Sequence, residues 1–307
     1  MEKILIFGHK SPDTDSVVSA YVLANLEQKL GKNVEACRLG NLNKETKYVF
    51  DYLNLEAPTF IKEVDEKQPV ILVDHNEFPQ SVDGIQKASI MKVVDHHRIK
   101  EFETEEPLYY RAEPLGCTCS IIYKLYQENQ VEITKEIAIL MLSAIISDTL
   151  LFKSPTCTPE DKEIASKLQE IAGIDIEKYG LEMLKAGTDL SDSTAEDLIK
   201  LDAKEVMIGS FKAQIAQVNT ASIPDVMKRQ AELEVAIENM IQERELALFV
   251  LAITDIINSN SQVIVLGEKA DIVEKAYQVK LENHTALLEG IVSRKKQILP
   301  VLSSAAQ

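Results

Sequence analysis

The first thirty residues set a short apolar run beside a helical period. Lys3-Ile-Leu-Ile-Phe7 ends at Gly8 and reads as a buried strand, after which Val17, Val18, Tyr21, Val22, Ala24, Leu26 and Leu30 recur at helical spacing across residues 16–30. Gly31 supplies the stop. The alternation continues: Val34-Glu-Ala-Cys-Arg-Leu39 reads as a strand, residues 44–54 as a helix, and Pro69-Val-Ile-Leu-Val73 and Ser89-Ile-Met-Lys-Val-Val94 as further strands. Short apolar strands alternating with helices predict βαβ units and a mostly parallel sheet. Residues 136–146 form a longer block rich in Ala, Leu and Met, which predicts a buried helix.

The pattern changes at Gly187-Thr-Asp-Leu-Ser-Asp-Ser-Thr194, small polar residues without an apolar period. Beyond it Val206–Thr220 alternates as strands do, Ile223-Pro-Asp225 opens a helix through about Arg244, and Leu246–Ile256 pairs across Asn258-Ser-Asn260 with Val263–Leu266. The expectation is an α/β protein in two domains. Residues 1–187 carry the mostly parallel sheet flanked by helices, residues 188–195 a linker or hinge, and residues 196–307 a smaller α+β domain with a mixed sheet. A chain of 307 residues suits this, because single cores stop growing at roughly 250–300 residues.

Composition narrows the function classes. With 45% hydrophobic residues the chain is globular, and a net charge of −16 opposes non-specific binding to nucleic acid or to an anionic membrane. Ile137–Ser147, an uncharged apolar stretch that ends at a lone Asp, falls well short of the ~20 apolar residues of a membrane helix. Met1 is followed by Glu2-Lys3 rather than a signal peptide, and four cysteines are too sparse for a disulfide framework, so a cytoplasmic location is expected. Cys117-x-Cys119 lacks a second Cys/His pair at zinc spacing and reads as buried thiols.

Ligands of open parallel sheets bind beyond the carboxyl ends of the strands. There the sequence is strongly biased: Gly8-His9-Lys10-Ser11-Pro12-Asp13-Thr14-Asp15-Ser16 follows the first strand, Asp74-His75-Asn76-Glu77 the third apolar run and Asp95-His96-His97-Arg98 the fourth. Four of the five histidines lie in these loops. Pro12 disfavours helical geometry at Ser11 and leaves His9, Asp13 and Asp15 on an irregular turn. Asp148 ends the long apolar block. Singly, each Asp reads as a helix cap and each His as a structural residue. Together, Asp13, Asp15, Asp74 and Asp148 would stack like charges unless cations offset them. Imidazole plus carboxylate without thiolate suits Mn²⁺ or Co²⁺ better than Mg²⁺ alone.

His9-x-x-x-Asp13-x-Asp15, Val73-Asp74-His75-Asn76, Asp95-His96-His97 and Ser147-Asp148-Thr149 resemble, in order, the motifs of the DHH phosphoesterase superfamily. Ser293-Arg294-Lys295-Lys296-Gln297 resembles the C-terminal signature of the family II, manganese-dependent inorganic pyrophosphatases. The nuclease and cyclic-dinucleotide branches typically carry a Gly-Gly-Gly-His type motif, and this chain has no Gly-Gly pair. The resemblance implies hydrolysis of pyrophosphate by hydroxide bridging two Mn²⁺ ions. One ion would be held by His9, Asp13, Asp74 and Asp148, the other by Asp15, Asp74, His96 and Asp148. It also implies that His97, Lys204, Arg294 and Lys295 handle the phosphoryl charge, that Asp95 orients its neighbours, and that Mg²⁺ enters with substrate. A homodimer through the N-terminal domain and closure about residues 188–195 belong to the same expectation.

Two other readings call for features of their own. A short-chain polyphosphatase or nucleotide phosphodiesterase would call for glycine-rich or aromatic base-binding features, and the chain has no Trp. A metal-binding regulatory protein that had lost activity would lack ligands, whereas every position of the pattern is filled.

Overall fold

The computed structural model describes residues 3–100 and 102–306, and the chain separates into two compact units that divide between Gly187 and Thr188. The strands of the first unit are β1 (Ile4–Phe7), β2 (Val34–Arg38), β3 (Thr59–Phe60), β4 (Pro69–Val73), β5 (Ser89–Asp95) and β6 (Tyr109–Ala112). Its helices are α1 (Thr14–Lys29), α2 (Lys44–Leu53), α3 (Thr118–Glu128), α4 (Lys135–Thr149), α5 (Pro159–Ala172) and α6 (Ile176–Gly187). All strand pairings are parallel, in the order β3-β2-β1-β4-β5-β6. The order reverses at β1, which pairs with β2 on one side and β4 on the other. Crossovers therefore leave β1 and β4 in opposite directions, opening a crevice past their carboxyl ends.

The expected strands and helices of this half are present, with ends set by local chemistry. Helix α1 starts at Thr14, two residues before the apolar period, because Asp13 caps it by accepting from Ser16 N. Helix α2 stops at Leu53 because Asn54 turns left-handed (φ 51°), a conformation Asn tolerates. Every residue from Ile137 to Ile146 of α4 is buried, between α1, α3, α5 and α6. That explains its apolar run without a polar stripe. Its buried Ser143 hydroxyl donates to Ile139 O and meets Tyr179 Oη.

The second unit contains α7 (Ala195–Leu198), β7 (Lys204–Ile208), β8 (Phe211–Thr220), α8 (Ile223–Met227), α9 (Gln230–Arg244), β9 (Leu248–Asp255), β10 (Asn260–Leu266), α10 (Asp271–Tyr277), β11 (Thr285–Leu288) and α11 (Leu299–Ala305). Its sheet runs β11-β10-β9-β8-β7 and is mixed: β8 and β9 are parallel, the other neighbours antiparallel. Strand β9 is buried throughout and feeds two cores by its period of two. Phe249, Leu251 and Ile253 pack with Leu233, Ile237 and Met240 of α9, whereas Leu248, Val250 and Ala252 pack with Ile272, Ala286 and Leu302.

One expected element is corrected. The helix foreseen over 223–244 is two helices, interrupted at Lys228-Arg229. Arg229 sits at φ −99°, ψ 10°, off the helical minimum, and its guanidinium donates to Leu190 O and Ser193 O. Those partners lie more than thirty residues away in sequence, where no periodicity registers them.

Candidate metal centre

Three loops and one helix end meet at the β1/β4 crevice. After β1, Gly8 permits a close approach: a Cβ there would lie 2.7 Å from Ser16 O and 2.9 Å from Ser16 Cα. The chain then turns through Ser11 in the left-handed region (φ 53°), so Pro12 does keep Ser11 out of right-handed helical geometry. Asp13 divides its carboxylate between two tasks. Oδ1 caps α1 through Ser16 N at 3.0 Å, while Oδ2 lies 3.5 Å from His9 Nε2. Asp15, in the first turn of α1, is fully buried and accepts from Ser19 Oγ (2.7 Å), Thr118 N (2.7 Å) and Cys119 N (3.3 Å).

Asp74 directly follows β4 and is the centre of the arrangement. Its backbone is left-handed (φ 57°), a conformation that costs a non-glycine residue about 1–3 kcal/mol and clusters at functional sites. The side chain is 1% exposed; Oδ2 lies 3.5 Å from His9 Nε2 and Oδ1 lies 3.4 Å from His96 Nε2. His96 Nε2 is also 3.5 Å from Asp148 Oδ2, on the last turn of α4. Thus His9, Asp13 and Asp74 form one group whose ligand atoms lie within 4.8 Å of one another, and Asp15, Asp74, His96 and Asp148 form another. Asp74 belongs to both. Asp148 joins only the second group at that distance.

The imidazoles are oriented by backbone. His9 Nδ1 meets Lys10 O at 2.8 Å and His96 Nδ1 meets Leu115 O at 3.0 Å. A carbonyl can only accept, so Nδ1 carries a hydrogen and Nε2 is the nitrogen that faces the carboxylates, the one that would bind metal once its own proton has left. His96 Nε2 is buried without a hydrogen-bond partner. His97 differs: its Nδ1 and its backbone N both donate to Asp95 Oδ1, at 2.9 and 3.0 Å, and Asn76 Nδ2 donates to Asp95 Oδ2. His75 stands apart from these groups, buried, with Nδ1 on Val73 O.

Residues 3–145 match the profile of the DHH family, N-terminal domain, and residues 181–305 that of the DHHA2 domain. The chain is 58% identical over 306 residues to the manganese-dependent inorganic pyrophosphatase of Bacillus subtilis (strain 168), covering 99% of each chain. The chain belongs to the family II, manganese-dependent inorganic pyrophosphatases. A probable family member from Exiguobacterium sp. is 56% identical over 307 residues, covering 100% of this chain and 99% of that one. The crystal structure of a putative family II inorganic pyrophosphatase from Methanococcus jannaschii shares 38% identity, with a TM-score of 0.63 over 99% of both chains.

Family membership sharpens the electrostatics of the crevice. Burial disfavours the His9 cation, but Asp13 and Asp74 outweigh burial and push its pKa up to about 11. Burial likewise opposes the His96 cation, and Asp74 and Asp15 raise it to about 9. Asp74 is held well below the usual carboxylate range, its burial overcome by His9 and His96. Burial and the neighbouring Asp74 charge push Asp15 up to about 6, and burial with the charges of Asp15 and Asp74 lifts Asp148 well above its ordinary value. Without metal, the cluster offsets its negative charge with protons. Divalent cations would take their place, and the donor set, carboxylates and neutral imidazoles around the orphaned His96 Nε2, fits such ions. Cys117 and Cys119 lie beside Asp15, but burial drives both thiols upward, so they stay neutral and fill space.

The cations expected from the C-terminal motifs lie in the second unit. Arg294 opens a single wide helical turn, Arg294–Ile298, and places Nε and Nη2 on the Asp202 carboxylate at 3.2 and 2.8 Å. Lys295 is exposed on the same turn, and Lys204 is exposed at the start of β7, two residues after Asp202. Three residues of both units escaped the sequence reading. Gln217 accepts from Arg294 N and donates to Val292 O, holding the cationic turn against β8. Glu45 accepts from Thr14 Oγ1 and Ser147 Oγ, tying the Asp13–Asp15 turn to the Asp148 turn. Thr118 bonds both Asp15 and Asp74. Only the Ser293 signature hints at any of these, through the turn Gln217 holds.

Proposed function

We propose that this chain hydrolyses inorganic pyrophosphate to two phosphates, with two Mn²⁺ ions held by His9, Asp13, Asp15, Asp74, His96 and Asp148. The observation that carries this reading is the paired carboxylate–imidazole cluster sharing Asp74, found in a full-length relative of manganese-dependent pyrophosphatases. Following the resemblance, Asp148 also serves the His9 side. Bound divalent cations supply Lewis acidity, which lowers the pKa of water and withdraws charge from phosphoryl oxygens. Co²⁺ is an expected substitute and Mg²⁺ is expected to accompany the substrate.

The chain's own residues do the rest. In hydrolysis, water's oxygen joins one phosphorus, a P–O bond of the bridge breaks, and its electron pair leaves on the departing phosphate. His97 is suited to hold a proton near those oxygens. Its Nδ1–H is fixed on Asp95, the Asp95 hydrogen bond raises its pKa, and Nε2 is left to donate. Arg294, Lys204 and Lys295 are the groups that grip phosphate oxygens, Arg294 through its planar fork and the lysines as point charges. Asp202 holds the Arg294 fork and must yield it, in part, to substrate. A homodimer formed through the first unit and a cytoplasmic location complete the reading; among the described residues no helix is long and apolar enough to cross a membrane.

The decisive experiment measures phosphate release with Mn²⁺ from pyrophosphate, tripolyphosphate and a dinucleotide in parallel. Rapid turnover of pyrophosphate is expected. Fast turnover of the dinucleotide with little on pyrophosphate would overturn the assignment.

A further inference from the structure

The segment Leu115–Ser120 contributes no residue to the ligand set, yet it touches ligands from three different loops. Leu115 O fixes the tautomer of His96 through Nδ1. Thr118 N donates to Asp15 Oδ2 at 2.7 Å, Cys119 N donates to Asp15 Oδ1 at 3.3 Å, and Thr118 Oγ1 donates to Asp74 Oδ1 at 3.0 Å. Thr118 is fully buried and is therefore not a substrate contact. We infer that Thr118, at the start of α3, is a positioning residue that sets the angle between the Asp15 and Asp74 carboxylates and so the metal affinity of the crevice.

The hydrogen-bond directions make the case. A carboxylate has about four lone-pair directions, and a metal takes the best oriented of those left open. By occupying one oxygen of Asp15 with a backbone donor and one of Asp74 with a hydroxyl, a single residue restricts how both side chains can rotate. Asp15 belongs to helix α1, where Ser19 also holds it, and Asp74 directly follows β4, so no bond within either element links the two carboxylates. The segment is itself anchored from behind. Asp161, fully buried on α5, accepts from Gly116 N (2.8 Å) and from Ser120 Oγ (2.6 Å), while Thr158 N and Oγ1 of its own capping box also donate to its Oδ2. Gly116 is required for that approach, because a Cβ there would fall 2.8 Å from Asp161 Oδ2. Thr118 thereby stands on a rigid support rather than on a mobile loop, the arrangement that preorganised ligand sets need.

This inference rests on the reading of Asp15 and Asp74 as metal ligands, and its test separates the two. Mn²⁺ binding to the full chain is measured by titration calorimetry for wild type, Thr118→Val, Thr118→Ser and Asp74→Asn, beside the melting temperature of each metal-free protein and the Mn²⁺ dependence of turnover. Thr118→Val keeps the backbone donor and the shape but loses the hydroxyl. It is expected to weaken Mn²⁺ binding about 10–100-fold and to raise the half-saturating Mn²⁺ concentration in parallel. The metal-free melting temperature should stay near wild type, and Thr118→Ser should restore binding to within about threefold of wild type. A merely structural role would lower the metal-free melting temperature and leave affinity per folded molecule unchanged. Should Thr118→Val not fold, Thr118→Ala must show the same loss of affinity, and failure of both to fold overturns the inference. Wild-type affinity in Thr118→Val, or a Thr118→Ser variant as weak as Thr118→Val, also overturns it while Asp74→Asn still loses metal. Undiminished binding in Asp74→Asn would instead overturn the ligand assignment beneath it.

Discussion

The two units handle charge in opposite ways. In the first, the candidate ligands Asp15 and Asp74 are buried, and each carboxylate oxygen answers to a named donor or lies beside an imidazole. In the second, Lys204 and Lys295 are exposed, and Arg294 is braced on one side by Asp202. The contrast is physically sensible. A carboxylate cluster meant for divalent ions must stay compact while empty, which takes burial, oriented donors and protons. On the proposed reading, cations that meet a small, strongly hydrated anion would work from an open surface, where lysine keeps its charge at little cost. The difference teaches that the candidate ligands are kept together by burial and oriented donors, whereas the basic residues stay open to solvent on a turn that Asp202 and Gln217 brace from 92 and 77 positions away.

That comparison can be broken. The largest effect is expected for Asp148→Asn, which should cost turnover on the order of a thousandfold, equivalent to several kcal/mol of lost charge stabilisation, and weaken Mn²⁺ retention. Phosphate release and bound metal measured on the same sample check it; wild-type turnover would remove Asp148 from the ligand set. Next comes pH. Because the metal-free pKa values are about 11 for His9 and about 9 for His96, both imidazoles are protonated at neutral pH. Mn²⁺ must displace those protons, and any held by the raised Asp148 carboxyl, so affinity should rise with pH, releasing at least about two protons per molecule below the His96 value. Calorimetry between pH 6.5 and 8.5 in buffers of different ionisation enthalpy counts them, and a pH-independent affinity would contradict the cluster's electrostatics.

The cation end predicts smaller losses. Arg294→Ala should lower kcat/KM by about 10–100-fold, the worth of hydrogen bonds to a charged group, with metal content unchanged. A fall in bound Mn²⁺ would mean that the two ends are not separable in the way described. Smallest of all, Lys296→Ala should change kcat/KM by less than about threefold, as expected of an exposed charge outside the gripping set. A loss equal to that of Arg294→Ala would show that the whole basic turn, rather than selected positions, meets the substrate.

The candidate site was legible in the sequence to the extent that its residues are consecutive. His9, Asp13 and Asp15 share one turn, Asp95, His96 and His97 another, and each follows an apolar run that reads as a strand. What supports them was not legible. Thr118 meets Asp15 across 103 positions, and Ser147 meets Glu45 across 102, so each looks like an ordinary helix-start or helix-end hydroxyl when read locally. The interruption of the 223–244 helix escaped for the same reason, since the groups Arg229 bonds lie on a distant segment.

By itself the sequence determined the alternation of strands and helices, the division near residue 187, the placement of acids and imidazoles at strand ends, and the family. Those follow from periodicity, turn chemistry and residue identity, all of which act over a few neighbouring positions. Only the tertiary structure decided that the sheet reverses at β1, so that Asp13, Asp74 and His9 face one another, and that Asp74 is shared between two groups. It alone decided which imidazole nitrogen is free, because the carbonyls of Lys10 and Leu115 assign the hydrogen. Strand order and hydrogen-bond partnership depend on which distant segments pack together, and chain-local patterns do not encode that pairing.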